Sequence, residues 1–173
     1  MKAYEELEKD ELKNLLNANW MTHDATWFAG CLEEFGIDKT NLLNKNAVRT
    51  MAKIEVKRLK KILGLKRISN ITDLQDFLRS SFQIIKGVFM NFEMNFSEDG
   101  KLEWKVPKCF AFEGVRRLGV IDKYECGIVE RIFGWLDELE INYSIQPKPV
   151  GCSMHKYGVC EMTIEFYFNG EKL

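Results

Sequence analysis

Near residue 87 the hydrophobic pattern changes its period, and no other feature constrains the fold as much. Before that point, apolar residues recur at intervals of three and four. After it, Val88, Met90, Phe92, Met94 and Phe96 alternate with Phe89, Asn91, Glu93 and Asn95. A period near 3.6 gathers side chains on one helix face, and a period of two gathers them on one sheet face. One chain carrying the two in separate blocks reads as helices followed by a sheet.

In the first block, residues 3–18 read as a helix. A second helical stretch carries Trp20, Trp27, Phe28, Cys31 and Phe35 as a stripe, with Gly36 behind it. Thr40 is a candidate cap for the next helix, which runs to Leu63 with Met51, Ala52, Leu59 and Ile62 on one face and stops at Gly64. Asn70 or Thr72 opens another, with Leu74, Phe77, Leu78 and Phe82 turned inward.

In the second block, Asp99-Gly100 signals a hairpin between Val88–Phe96 and a strand in which Leu102, Trp104 and Val106 alternate, ended by Pro107. Residues 109–118 and 123–139 read as helices, and Ile141–Gln146 as a strand. A final strand alternates Cys160, Met162, Ile164, Phe166 and Phe168. The expected class is α+β: a ββααββ tail forming an antiparallel sheet with helices on one face, plus an N-terminal helical subdomain. The division falls at 1–86 and 87–173, in what reads as one compact unit.

Charge excludes some partners. With 25 Lys and Arg against 26 Asp and Glu, the net charge is -1, and no basic stripe suggests nucleic acid. The run Lys57–Lys61 sits at a helix C-terminus, where it complements the helix dipole. No apolar run approaches the roughly 18 residues of a membrane span, and the N-terminus lacks the apolar core of a signal peptide. A cytoplasmic protein is expected, in which five cysteines are core residues, metal ligands or reactive thiols rather than disulfides.

Cys31 lies on an aromatic stripe and reads as core. The other four cysteines fall at junctions: Cys109 and Cys126 open helices, Cys152 precedes the last loop and Cys160 begins the last strand. A helix N-terminus favours thiolate, the form that metals bind. Cys152 and His155 have C-x2-H spacing, with Cys160 beyond, in a loop that Gly151 and Gly158 allow to bend. The intervals between cysteines are not those of a zinc ribbon. Metal ligation, reactive thiols and plain packing all stay open.

Three polar groups also stand out. Asp24 falls on the stripe of Trp20, Trp27 and Phe28, where an unpaired carboxylate is costly. Either Asp24 or Thr22 caps a helix after a break, or Asp24, with His23, points into a pocket. Glu55 sits among Met51, Ala52, Leu59 and Ile62, with Arg49 or Arg58 as local partners, or joins Asp24 and His23 in an acid/base or metal site. Glu113 and Arg116 are spaced for a surface ion pair, or Arg116 holds a ligand carboxylate. No Walker loop, G-x-G-x-x-G or G-x-S-x-G occurs.

The stretches NWMTHDATWF and IEVKRLKKILGL, then KCFAFEGVRRLG, YECGIVERIFGWL and GCSMHKYGVCEMTIEF, resemble an uncharacterised cytosolic family related to the L-2-amino-thiazoline-4-carboxylic acid hydrolase-like proteins. The resemblance spans residues 12–168. This chain has Glu113 where that family usually has Gln, Glu125 where it has Pro, and SMHKYGV where it often has a Cys-Pro-Pro-Asp-like loop. The second half is also similar to the 4-vinyl reductase domain. That resemblance implies an α+β scaffold with a ligand cavity between helices and sheet, and cysteines acting as ligands.

Three functions are therefore expected. The first is a small-molecule or metal-binding domain, with zinc or an iron–sulfur cluster on Cys109, Cys126, Cys152 and Cys160, and His155 in support. The second is a metal-free thiol hydrolase of a small heterocyclic or amide substrate. Its nucleophile is Cys126 or Cys152 and its base His23 or His155, with Asp24 beside His23 and Arg116, Glu113 or Glu55 on the substrate. The third is a homodimeric interaction module, suggested by the aromatic excess and by Phe89 and Tyr167 pointing outward.

Overall fold

The computed structural model describes residues 1–168, and the backbone of 171 and 172. The chain runs α1 (Lys9–Leu63), α2 (Ile71–Ile85), β1 (Asn91–Phe96), β2 (Leu102–Lys108), α3 (Phe110–Arg117), α4 (Gly127–Glu138), β3 (Asn142–Gln146), α5 (Ser153–Tyr157), β4 (Glu161–Phe168) and β5 (Glu171–Lys172). This is the expected α+β class.

Helix α1 is two arms joined at Gly36, whose φ of 71° and ψ of 173° belong to neither arm. Almost only glycine adopts that backbone. The break expected between residues 18 and 20 is absent, because nothing there removes an N–H or forces φ positive. Thr22 is not a cap either: its hydroxyl donates to Ala18 O inside an unbroken turn, at 2.9 Å. Thr40 likewise lies inside the second arm and donates to Gly36 O at 2.7 Å. Gly64, at φ 68°, ends the helix as expected. Asn70 caps α2, its side chain accepting from Asp73 N at 2.9 Å.

The sheet has the order β1-β2-β4-β3, antiparallel throughout, with β5 also against β4. Pro107 does not end β2, which continues to Lys108. The register slips opposite Asn91 and Glu93, and such an irregularity tolerates a residue without an N–H. Trp104, Val106, Met162, Ile164 and Phe166 are buried on one face. The opposite face is polar, with Lys105 paired to Glu161 at 2.9 Å.

Against the apolar face lie α2, α4 and the second arm of α1. Val56, Leu74, Leu136 and Ile164 are fully buried there, each worth roughly 1.5–3 kcal/mol of apolar burial. The helical segment and the sheet therefore share one core. Arm and α4 approach closely because Gly134 has no side chain: an added Cβ would stand 2.7 Å from that of Ala52. The loop after Cys152, expected to be irregular, holds the short helix α5, closed by Gly158 at φ 73°.

Candidate functional site

Folding α1 back at Gly36 leaves space between its arms, floored by the first turns of α3 and α4. The result is a cleft of about 320 Å³. The first arm contributes Trp20, His23, Asp24 and Trp27; the second contributes Asn44, Val48 and Met51; the floor includes Phe110, Tyr124 and Arg131. Because the helix continues through residue 24, the sequence's second option for Asp24 is the one realised.

Asp24 is half-buried, and among the described residues its carboxylate accepts no hydrogen bond and makes no ion pair. Burial among apolar walls pushes its pKa up; His23 and Arg131 pull it the other way. Asn44 is 6% exposed, and its side-chain amide, unbonded to the described residues, keeps contact with solvent in the cleft, unlike Ser81 Oγ in α2, which is buried without a partner. Arg131 is paired with Glu55. Its Nε and Nη2 donate to Glu55 at 2.9 and 2.6 Å, and its guanidinium lies 5.1 Å from the centre of the Trp20 ring. Trp135 Nε1 adds a third hydrogen bond to Glu55 at 2.8 Å. Glu55 is thus neutralised from α4, not by Arg49 or Arg58 as the sequence suggested. Arg49 instead reaches Glu130 and Asp137.

Cys109, Cys126, Cys152 and Cys160 all line one small cavity of about 20 Å³ beneath the cleft. The first three occupy the N-cap positions of α3, α4 and α5. Cys109 Sγ accepts from Phe112 N at 3.5 Å. Their surroundings are apolar, and burial pushes the Cys126 thiol up to about 12, Cys160 to about 11, and Cys109 also upward. All five cysteines are free thiols. Cys31 is half-buried and stands away from the cavity. Thiol chemistry suits a soft metal, but as placed no group of three or more His, Cys, Asp or Glu among the described residues is arranged to hold an ion.

The remaining candidates lie elsewhere. His155 is exposed on α5 and does not line the thiol cavity, because a helical turn replaces the tight C-x2-H bend. Arg116 is exposed and bonds Glu113 at 3.1 Å, the surface pairing that their spacing allowed. Phe89 and Tyr167 do not point freely outward. Phe89 packs edge-on to Phe110, and Tyr167 Oη lies 3.0 Å from Ser144 Oγ.

Arg131, Asn44 and Tyr124 were not singled out in the sequence. Arg131 carried a signal in hindsight, a lone cation on the helix whose other residues form an apolar stripe. A third cavity of about 70 Å³, between α2, α4, the sheet and the start of α3, adjoins both others, and Ile128 is a wall of all three.

Among the described residues, no helix is long and apolar enough to cross a membrane. No curated protein and no solved structure matches the chain. A family model does match, over residues 5–156, and the chain belongs to that family of unknown function, DUF6125.

Proposed function

We propose that this chain is a small-molecule-binding domain whose ligand lies between the arms of α1. The observation that carries this is the half-buried carboxylate of Asp24, without a bonded partner among the described residues, in the wall of a cleft of about 320 Å³. A carboxylate drawn partly out of water is costly unless it is paired, and a ligand in the cleft would supply the partner. The volume is at the small end of ligand pockets, about 300–1,000 Å³. The five free thiols support a reducing, cytoplasmic setting.

A thermal-shift screen of small molecules tests the reading. Binders should raise Tm for the native chain and not for Ala47→Phe, which narrows the cleft at an exposed position. Equal shifts for both proteins, or none for either, would sink it.

A second reading rests on the four-cysteine cavity: zinc or an iron–sulfur cluster held by Cys109, Cys126, Cys152 and Cys160, once the sulfurs turn toward one point. Protein purified without oxygen should then carry metal that is lost in Cys126→Ser. Metal-free, folded protein would end this reading and leave the first intact. A thiol hydrolase has less support, since a Cys126 thiol pushed to about 12 stays protonated at neutral pH.

A further inference from the structure

We infer that the molecule held in the cleft is a cation, an organic ammonium with an apolar body, and that Asp24 is its counter-ion. This rests on the cleft being a binding site and names the class of its ligand.

Among the described residues, three ionisable groups besides Tyr124 line the cleft. His23 and Asp24 come from the first arm and Arg131 from α4. The second arm and α3 contribute none. Arg131 is cancelled by Glu55, which takes two of its N–H donors, and its face is covered by Trp20. His23 is at the exposed rim. Asp24 is left as one carboxylate, half-buried and without a bonded partner.

An anion would need donors, and the helix ends do not supply them. The first turns of α3 and α4 border the cleft, but two of their N–H groups are already bonded within the protein and others face sulfur. Phe112 N donates to Cys109 Sγ and Gly127 N to Tyr124 Oη, at 3.2 Å for the second. Ala111, Ile128 and Val129 turn theirs toward Cys109 and Cys126.

The rest of the wall suits a cation. The Trp27 indole is 40% exposed and, with Phe110 and Tyr124, offers aromatic surface, whose negative faces attract ammonium groups. A carboxylate next to aromatic faces, with no cation of its own to spare, is the arrangement that binds amines. Asn44 can take one ammonium hydrogen through its carbonyl.

Trp20 and Trp27 line the cleft, so tryptophan fluorescence reads the test. Three probes of one shape are titrated at neutral pH: phenethylamine, phenethyl alcohol and phenylacetate. Phenethylamine should bind about tenfold or more tighter than the alcohol, and phenylacetate weakest. Asp24→Asn should abolish the preference for the amine while leaving the alcohol unchanged, and Asp24→Glu should restore part of it. Circular dichroism checks that both variants fold.

Alcohol or acid bound as tightly as the amine, or an amine preference that survives Asp24→Asn, would overturn the cation inference alone. Silence from all three probes, together with an empty small-molecule screen, would overturn the cleft reading and this inference with it.

Discussion

Two polar side chains are held at a cost that substitution should release. Asp24 has a raised pKa in the folded chain, so folding favours its protonated form. Stability is then lost as pH rises from the ordinary Asp value, about 3.9, through the higher folded value. We predict that Asp24→Asn raises Tm at neutral pH and that the gain vanishes below about pH 3.5, measured by melting both proteins across pH. Ser81 is the simpler case. It is fully buried in α2 and its hydroxyl has no partner among the described residues. Ser81→Ala should stabilise by about 1 kcal/mol in urea denaturation. A loss of stability would mean that the hydroxyl has a bond to water or ligand.

At the scale of an element, α1 offers a matched pair of glycines. A Cβ added at Gly30 or at Gly36 meets nothing within 4 Å. They differ only in backbone: Gly30 is helical and Gly36 has φ 71°. Gly30→Ala should therefore gain about 0.5–1 kcal/mol, and Gly36→Ala should lose about 1–3 kcal/mol, both read from denaturant midpoints. Matching signs would refute the backbone account. Much of this element was legible beforehand. Gly36 and Gly64 punctuate the helical period, and Asn70 announces the next helix. The continuity through Trp20 was not legible, because a polar pair at His23 and Asp24 looks the same at a cap as on the wall of a cleft. Only the opposing arm decides, and it lies some twenty residues on.

For the whole molecule, the period change near residue 87 gave the class, and the alternation of β4 gave its buried face. The cysteines stood out at junctions, but their spacing did not say that the N-caps of separate helices would meet around one cavity. What was missing is contact between distant parts of the chain. Glu55 and Arg131 are 76 residues apart, and local charges offered nearer, wrong partners. That same long-range pairing joins α1 to α4, and the core of Ala52, Val56, Trp135 and Ile164 carries the connection on to the sheet. We expect a single unfolding transition, with far-ultraviolet ellipticity and tryptophan fluorescence superimposing in urea. Two separated transitions would make residues 1–86 an independent unit. A homodimer remains our third proposal, and an association that grows with concentration in sedimentation would support it.

Gly36 also acts as a fulcrum. At about 1.5 Å of rise per residue, Trp20 lies roughly 24 Å along its arm from that glycine, so each degree of rotation there displaces the indole by about 0.4 Å. The far end of the arm is latched to the end of α2 and the loop after it: Lys13 Nζ donates to Gln83 O, Asn17 Nδ2 to Ile85 O, and Val88 N to Asn14 Oδ1, at 3.1–3.3 Å. The two walls are thus a pair of tongs cut from one helix, pivoting on a single residue and clipped at the tip. Loosening the clip, far from any bound molecule, would set how wide the jaws can open.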